Sequence, residues 1–226
     1  MSALVFTDVH KGFEAKVLKG LTAEIPLEGI TFVVGRSGQG KSVLCRLAVG
    51  LLRPDEGQVQ LFGQRIDTLP ERALRQVRAR APYLVQGPAL LDWLTVAQNV
   101  ALASLLPREQ RRTEAIETLD RVGLADAADD LPATLGPGAK KRVAIARALV
   151  LRPEYLLLDE PTTGLDRTAA DQVNEVISHL RDQGLGALVV SHDHRSMGQI
   201  ADRVLEVDQG RSAFLGAPAA FKLRAP

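Results

Sequence analysis

The sequence of 226 residues has a single cysteine, Cys45, so it cannot form a disulfide within the chain. A lone cysteine fits a reducing cytoplasm, and we interpret Cys45 as a small buried residue rather than a redox switch. The formal net charge is only +1, so no strong field favours nucleic acid or an anionic surface. No apolar run approaches the roughly 18 residues that suggest a membrane span, and the N-terminus lacks the pattern of a secretory leader. We therefore expect a soluble chain that reaches a membrane only through another protein.

Short apolar segments alternate with longer amphipathic ones, and a content of 46% hydrophobic and 24% charged residues is typical of a globular domain. Strand patterns occur at 3–8, 21–25, 30–34, 58–62, 155–158 and 187–190. Helix patterns occur at 41–52, at 95–123 with a break at Pro107, at 138–151 and at 168–183. Strands that alternate with helices predict an α/β fold with a mostly parallel sheet core. The early strands predict an antiparallel β lobe, and the stretch at about 88–150 predicts a helical lobe inserted in the core. We expect residues 1–226 to form one domain with these lobes.

A glycine-rich motif follows the strand pattern at 30–34. It reads Gly35, Arg36, Ser37, Gly38, Gln39, Gly40, Lys41 and Ser42, which is the pattern of a phosphate-binding loop between a strand and a helix. Glycines let backbone N–H groups curl around phosphates, and the helix N-terminus adds a favourable dipole. Lys41 can reach the β- and γ-phosphates of a nucleotide, and the Ser42 hydroxyl can coordinate Mg²⁺.

The apolar strand pattern that begins at Tyr155 ends in two carboxylates, Asp159 and Glu160. An aspartate at the tip of such a strand can hold the Mg²⁺ shell. The next residue, Glu160, is placed to orient and deprotonate an attacking water. A strand that ends in Asp-Glu is common by itself, but here it follows a phosphate loop and precedes Pro-Thr-Thr-Gly-Leu-Asp. We therefore predict catalytic roles for Glu160 and Lys41 and metal binding by Ser42 and Asp159.

Together the motifs resemble those of ABC (ATP-binding cassette) ATPases, in that family's order and spacing and over the chain to about Gly216. The motifs are the phosphate loop, Gln86, the helix segment 141–149, the run 159–166 and the triplet 191–193. The resemblance implies the fold of a P-loop NTPase (RecA-like), with ATP and Mg²⁺ as cofactors.

The resemblance also implies roles for further residues. Gln86 would be the Q-loop residue, which contacts Mg²⁺ and the membrane partner. Asp166 would be the D-loop aspartate, and His192 the switch histidine that contacts the γ-phosphate. Phe13 falls where the family stacks an aromatic ring on adenine, although a core phenylalanine is an alternative. Val43, directly after the phosphate loop, is also predicted to bind the nucleotide.

The chain departs from the family in the signature, which usually reads Leu-Ser-Gly-Gly-Gln. Counted back from Arg142, this chain has Leu135, Gly136, Pro137, Gly138 and Ala139. The serine whose hydroxyl would meet the γ-phosphate on the opposing subunit is replaced by Gly136, and Pro137 removes one backbone N–H. Gly136 and Gly138 still permit a close approach to ATP, and proline suits the first turn of a helix. We expect a weakened ATP-sandwiched dimer, with slow turnover if the chain pairs with a copy of itself.

Several stretches are similar to the cassettes of phospholipid transporters that work with MCE-domain proteins (the Mla/Mce group). The likeness lies in Arg36, Val43 and the segments 86–96, 139–143, 161–166 and 200–203. It implies an integral membrane permease, a second cassette and an MCE-domain lipid-binding protein as partners, at the cytoplasmic face of the inner (plasma) membrane. In the family the segment after Gln86 borders the groove for a coupling helix of the permease. For Trp93 in this segment, packing within the helical lobe is the alternative.

Other functions stay open. A cassette for another importer or exporter, of lipoproteins, peptides or amino acids, would use identical chemistry. A soluble cassette protein that acts on DNA or ribosomes is disfavoured, because the chain has one cassette and neither a long coiled-coil insertion nor a basic patch. A GTPase or small-molecule kinase would leave Asp166 and His192 unexplained, and an Asn-Lys-x-Asp motif is absent. Retention of Lys41 and Glu160 argues against a cassette that only binds nucleotide.

Overall fold

The structure, a computed structural model, describes residues 2–221. These residues form two β-sheets, seven α-helices and four short 3₁₀ helices. The strands are β1 Ala3–Gly12, β2 Lys16–Pro26, β3 Ile30–Val34, β4 Glu56–Leu61, β5 Gln64–Arg65, β6 Tyr83–Leu84, β7 Tyr155–Asp159, β8 Gly186–Val190, β9 Arg203–Asp208 and β10 Arg211–Gly216. The helices are α1 Lys41–Ala48, α2 Glu71–Arg80, α3 Val96–Ala101, α4 Arg108–Asp120, α5 Pro137–Leu149, α6 Arg167–Asp182 and α7 His194–Ile200. No helix among these residues is long and apolar enough to cross a membrane.

The larger sheet has six strands in the order β10-β9-β3-β8-β7-β6, and all its neighbours pair in parallel except the hairpin of β9 and β10. The smaller sheet is antiparallel, with the order β2-β1-β4-β5. The predicted α/β fold, with a mostly parallel core and an antiparallel β region, is therefore confirmed. Helices α3, α4 and α5 lie between β6 and β7 in the chain, as the helical pattern predicts.

The central strands are buried on both faces, because their side chains alternate between two apolar clusters. In β3, the side chains of Ile30, Phe32 and Val34 pack with helices α3 to α6. The side chain of Val33 packs with α1 and the antiparallel sheet. Strand β7 divides in the same way, with Leu158 in the first cluster and Leu157 in the second. Burial on both faces explains the continuous apolar runs that these strands show in the sequence. Cys45 lies in the second cluster and is fully buried, as predicted.

Several helix boundaries differ from the predicted ones. Helix α1 ends at Ala48 rather than near residue 52, because Gly50 adopts a left-handed conformation (φ +66°) and Leu51 N–H turns back to the carbonyl of Arg46 at 2.8 Å. The helical stretch at 95–123 divides at Pro107, as predicted, because proline cannot continue a helix and here becomes the N-cap of α4; α3, however, already ends at Ala101.

Helices α2 and α7 have no counterpart in the sequence-based prediction. Helix α2 is rich in arginine, and only Leu74 and Val77 of its residues are buried, so its periodic signal is weak. Helix α7 is short, and Asp193 caps it by accepting hydrogen bonds from the N–H groups of Arg195 and Ser196.

Candidate nucleotide site

Four neighbouring parallel strands, β3, β8, β7 and β6, end at one edge of the larger sheet. Each strand delivers a predicted site residue to this edge. The phosphate loop follows β3, His192 follows β8, Glu160 follows β7 and Gln86 follows β6. Segments far apart in the sequence therefore meet outside the carboxyl ends of the strands, the usual ligand position in such sheets.

The phosphate loop turns sharply at its first residue. Gly35 has φ +144°, and a Cβ atom there would lie 2.2 Å from the carbonyl oxygen of Val207, so only glycine fits. The Lys41 side chain is nearly buried, and its ammonium donates to the carbonyls of Gly35 at 2.8 Å and Arg36 at 2.9 Å. Gly40 caps helix α1 without a side chain. The N–H groups of the first turn therefore receive no side-chain cap and are available to an anion.

Two hydroxyl groups hold the carboxylate at the end of β7. Ser42 Oγ donates to Asp159 Oδ1 at 3.0 Å, and Tyr83 Oη donates to Asp159 Oδ2 at 2.6 Å. Burial raises the pKa of the Tyr83 phenol well above its ordinary value, and the bond to Asp159 adds to this shift. Tyr83 therefore stays a neutral donor, which fixes the orientation of Asp159.

The carboxylate of Glu160 is held between two partners. Its Oε2 accepts a hydrogen bond from Thr163 Oγ1 at 2.7 Å, and its Oε1 lies 3.3 Å from Nε2 of His192. The Glu160 side chain is only 11% exposed, whereas that of His192 is 52% exposed. A confined carboxylate beside a solvent-facing imidazole is suited to handling a proton at the edge of a pocket.

A pocket of about 430 Å³ opens at this edge of the sheet. It is lined by Val17, Ser37, Gly38, Gly40, Lys41, Ser42, Val43, Gln86, Glu160, Thr163 and His192. The structure thus brings together most of the residues that we predicted for nucleotide binding and catalysis.

Other predicted residues lie outside the pocket wall. Phe13 is 60% exposed on the turn between β1 and β2, with Lys11 Nζ 5.7 Å from its ring centroid, so the alternative of a core phenylalanine is excluded. Gln39 Oε1 accepts from Gly210 N–H at 3.3 Å, and Asp166 caps helix α6 by accepting from Ala169 N–H at 2.8 Å. Gly136 and Gly138 lie at the start of α5, away from the lining residues.

The donor set suits Mg²⁺. The Ser42 hydroxyl and the Asp159 carboxylate are hard oxygen ligands that already touch each other, and Gln86 adds an amide oxygen in the same pocket. Residues 2–221 contain no group of three or more His, Cys, Asp or Glu that could hold a metal alone. In the usual Mg²⁺ site, one or two protein oxygens are completed by phosphates and water.

The region that differs from the family signature begins helix α5. Gly136 is the N-cap without a side-chain bond, and Pro137 occupies the first helical position. A Cβ atom at Gly136 would meet nothing within 4 Å, so a serine fits there. A Cβ atom at Gly138, in contrast, would lie 2.7 Å from Cβ of Ala169, so close packing against α6 requires this glycine.

The comparisons with known proteins agree with this geometry. The model of the family described as ABC transporter matches residues 18–163, more than half of the chain. The chain belongs to the ABC transporter family. The match confirms the predicted class of protein, since the cassettes of this family are ATPases that use ATP and Mg²⁺.

Relatives of the cassette include importer subunits. The cassette is 38% identical over 208 residues to the methionine import ATP-binding protein MetN of Brucella abortus. The aligned region covers 90% of this chain and 56% of that protein. It is 39% identical over 212 residues to the aliphatic sulfonates import ATP-binding protein SsuB of Albidiferax ferrireducens. This aligned region covers 93% of this chain and 72% of that protein. The cassette thus spans little more than half the length of this MetN relative.

Solved structures share the fold over nearly the whole cassette. The structure of cbiO1 from Clostridium perfringens, part of the ABC transporter complex cbiONQ, has a TM-score of 0.88 and 28% identity, and covers 96% of this chain and 89% of that chain. The dimeric post-hydrolysis structure of the ATP-binding cassette MJ0796, bound to ADP and Pi, has a TM-score of 0.84 and 27% identity, and covers 96% of this chain and 100% of that chain.

Val17, which lines the pocket, and three polar residues of the site have no role in the sequence-based prediction. The polar residues are Tyr83 on Asp159, Thr163 on Glu160, and Lys141, whose ammonium donates to the carbonyls of Gln86 and Glu160. Only Thr163 offered a local signal, because a hydroxyl three residues after a carboxylate can fold back onto it within one turn. The other two act across elements that are distant in sequence, so they become visible only in the fold.

Proposed function

We propose that this cassette hydrolyses Mg-ATP as one half of a cassette dimer and thereby drives a membrane permease. The observation that supports hydrolysis most directly is the confined Glu160 carboxylate in the same pocket as Lys41 and Ser42. A cassette that only binds nucleotide would not need a buried carboxylate held by two partners at that place. We place it at the cytoplasmic face of the membrane, where the permease would contact it.

Each residue has a defined task in this proposal. Lys41 and the N–H groups of the phosphate loop bind and orient the phosphates. Ser42 and Asp159, with Gln86, would hold Mg²⁺, which neutralises charge on the phosphates when bound. Glu160 accepts the proton of a water at its carboxylate, and Thr163 keeps that carboxylate in place. His192, which is more exposed, would contact the γ-phosphate from the open side of the pocket.

The second cassette of the dimer would complete each site through its signature. In a homodimer both sites would carry Gly136 and Pro137 in place of the usual Ser-Gly. A heterodimer with an intact partner signature would keep one fully competent site, formed by Lys41, Glu160 and His192 of this chain. Loss of one hydrogen bond to a charged phosphate costs about 1.5–3 kcal/mol, so the defect weakens ATP-driven closure without abolishing it.

Gly136→Ser combined with Pro137→Gly is expected to raise the ATPase rate of the homodimer several-fold. A serine fits sterically at position 136 and is also a better N-cap than glycine by a few tenths of a kcal/mol. Phosphate release at saturating Mg-ATP, measured against protein concentration, tests the change. Gly136→Ala combined with Pro137→Gly is the matched control, because it carries the same change at position 137 and fills position 136 without a hydroxyl. Equal rates in all three proteins would contradict the assigned role of the signature.

For the transported substrate, we propose import of a small organic solute such as an amino acid or a sulfonate. The supporting observation is that MetN and SsuB carry these imports in their names and resemble this chain at 38% and 39% identity. Phospholipid transport with an MCE-domain partner is the second candidate. It rests on the short likeness in the phosphate loop and in the segments 86–96, 139–143, 161–166 and 200–203. Neither relative just named is a phospholipid transporter by its name, so this second candidate has the weaker support.

The contact with the permease is proposed to lie around Trp93. Trp93 is 75% exposed, which rules out the alternative that its ring packs inside the helical lobe. The loop that carries it is rigid, because the buried Asn99 amide donates to the carbonyls of Leu91 and Leu94 and its oxygen accepts from Leu91 N–H. A rigid loop that presents an exposed tryptophan is suited to anchor a partner.

Trp93→Ala is expected to weaken co-purification with the permease by tenfold or more, because exposed tryptophans that become buried at an interface often contribute over 2 kcal/mol. Leu51→Ala is the matched control, since Leu51 is another exposed apolar residue (51%) that lies outside this loop. Thermal unfolding of both variants verifies that each is folded. If Trp93→Ala retains as much permease as Leu51→Ala, the contact lies elsewhere.

The experiment that tests the function as a whole is a tagged pull-down of the cassette from gently solubilised native membranes. Mass spectrometry would identify both proteins and lipids. A permease with a solute-binding protein supports the importer, whereas a permease with an MCE-domain protein and phospholipid supports the second candidate. Recovery of soluble partners alone would contradict the transporter assignment. The presence of another cassette with a complete signature would decide between homodimer and heterodimer.

A further inference from the structure

Lys141 connects helix α5 to two loops of the nucleotide site. It lies three positions after Gly138, and its ammonium donates to the carbonyl of Gln86 and, at 3.2 Å, to the carbonyl of Glu160. One side chain therefore bridges the signature helix, the loop after β6 and the turn after β7. The side chain of the neighbouring Lys140 makes no hydrogen bond or ion pair within residues 2–221.

The backbone of Glu160 requires external support. Its φ is +51°, in the left-handed region, which is uncommon for a residue with a Cβ atom and costs on the order of 1–3 kcal/mol. Its N–H donates to the carbonyl of Val190 at 2.8 Å, and its own carbonyl accepts from Lys141 at 3.2 Å and, at a longer 3.4 Å, from Thr163 N–H. The N–H is thus held from β8, and the shorter of the two bonds to the carbonyl comes from α5. Because the backbone sets where the side chain starts, these bonds help to determine where the carboxylate of Glu160 points.

Lys141 reaches the two carbonyls through mostly apolar surroundings. Its side chain helps to line a small, mostly apolar crevice with Ile145, Leu158 and Pro161. Burial lowers the pKa of Lys141, while the nearby carboxylates of Glu160 and Asp159 act in the opposite direction. The Lys141 ammonium is the only donor within the described residues that reaches the carbonyls of both Gln86 and Glu160.

We propose that Lys141 is a positioning residue for hydrolysis, which holds the strained backbone of Glu160 and ties the loop at Gln86 to the signature helix. Lys141 acts through Glu160 and does not touch the reacting atoms itself. The inference rests on the proposed function, because it requires Glu160 to be the base that accepts the proton of water. A movement of α5 would displace this ammonium and with it the carbonyl of Glu160.

Lys141→Met keeps the length of the side chain but removes the donor, and it is expected to lower kcat about tenfold or more, since a hydrogen bond from a charged donor is lost. The Kd for ATP should stay within about twofold, because Lys141 does not line the nucleotide pocket. Lys141→Arg, which retains a cation and several donors, should recover most of kcat. Lys140→Met is the matched control and should keep the rate of the unchanged protein. Thermal unfolding is measured for each variant, and Lys141→Leu, which also removes the donor, replaces Lys141→Met if that protein fails to fold.

A double-mutant cycle separates this role from general damage. In the Glu160→Gln background, Lys141→Met should cause little further loss of the residual rate, because the base that Lys141 positions is already absent. Additive losses, or a Lys141→Met protein as active as Lys140→Met, would overturn the inference and leave the proposed function intact. A Glu160→Gln protein with undiminished hydrolysis would instead overturn the proposed function itself.

Discussion

Glu160→Gln is expected to slow ATP hydrolysis by about 10²–10⁴-fold, the range typical of a lost general base, while ATP binding is retained. The amide has the same shape as the carboxylate, and its oxygen can still accept the hydrogen bond from Thr163. It cannot accept a proton from water at neutral pH. Bound ATP should therefore persist and hold two cassettes together, so that an ATP-dependent dimer accumulates.

Steady-state phosphate release and size-exclusion chromatography with light scattering, each with and without Mg-ATP, measure these two effects. Glu154→Gln provides the matched control, because Glu154 is an exposed glutamate paired with Arg80 outside the nucleotide pocket. The pair is bidentate but exposed, and the glutamine amide oxygen can still accept from Arg80, so the control should fold and turn over normally. If Glu160→Gln hydrolyses ATP as fast as Glu154→Gln, another group is the base.

The fold was predictable wherever local patterns carried it. Strand β3 was expected at 30–34 and has those bounds, because its apolar β-branched run is buried on both faces and stops at Gly35. Helix α2 was not predicted, because its two buried residues, Leu74 and Val77, give too weak a hydrophobic periodicity. The pairing of β6 with β7 was not predicted either. A two-residue strand has no signal of its own and is defined only by its neighbour.

The candidate site shows the same division. The phosphate loop and the pair Asp159 and Glu160 could be predicted, because the residue types and their spacing express the chemistry directly. The hydrogen bonds of Tyr83 and Lys141 could not, since each joins elements brought together only by the order of strands in the sheet. The left-handed backbone of Glu160 is likewise a product of its tertiary contacts, as no local propensity favours it.

Lys41→Ala is expected to weaken ATP binding by about 10- to 150-fold, which corresponds to the roughly 1.5–3 kcal/mol of a hydrogen bond to a charged group. Two effects contribute. The variant removes the cation that the phosphates would meet, and it leaves the carbonyls of Gly35 and Arg36 without their donor. The second effect also loosens the loop that must present its N–H groups to the phosphates. At ATP concentrations below the raised Kd, the rate of hydrolysis should therefore fall in proportion to the fraction of sites that hold ATP.

Lys41→Met separates the two effects, because methionine fills the nearly buried space of the lysine stem but carries no charge. Both variants should bind ATP poorly in an equilibrium titration with a fluorescent analogue, but Lys41→Met should unfold at a higher temperature than Lys41→Ala. Loss of binding in both variants assigns the main contribution to the ammonium. If Lys41→Met instead binds as tightly as the unchanged protein, Lys41 serves the shape of the loop and the phosphates are held by backbone N–H groups and the helix dipole alone.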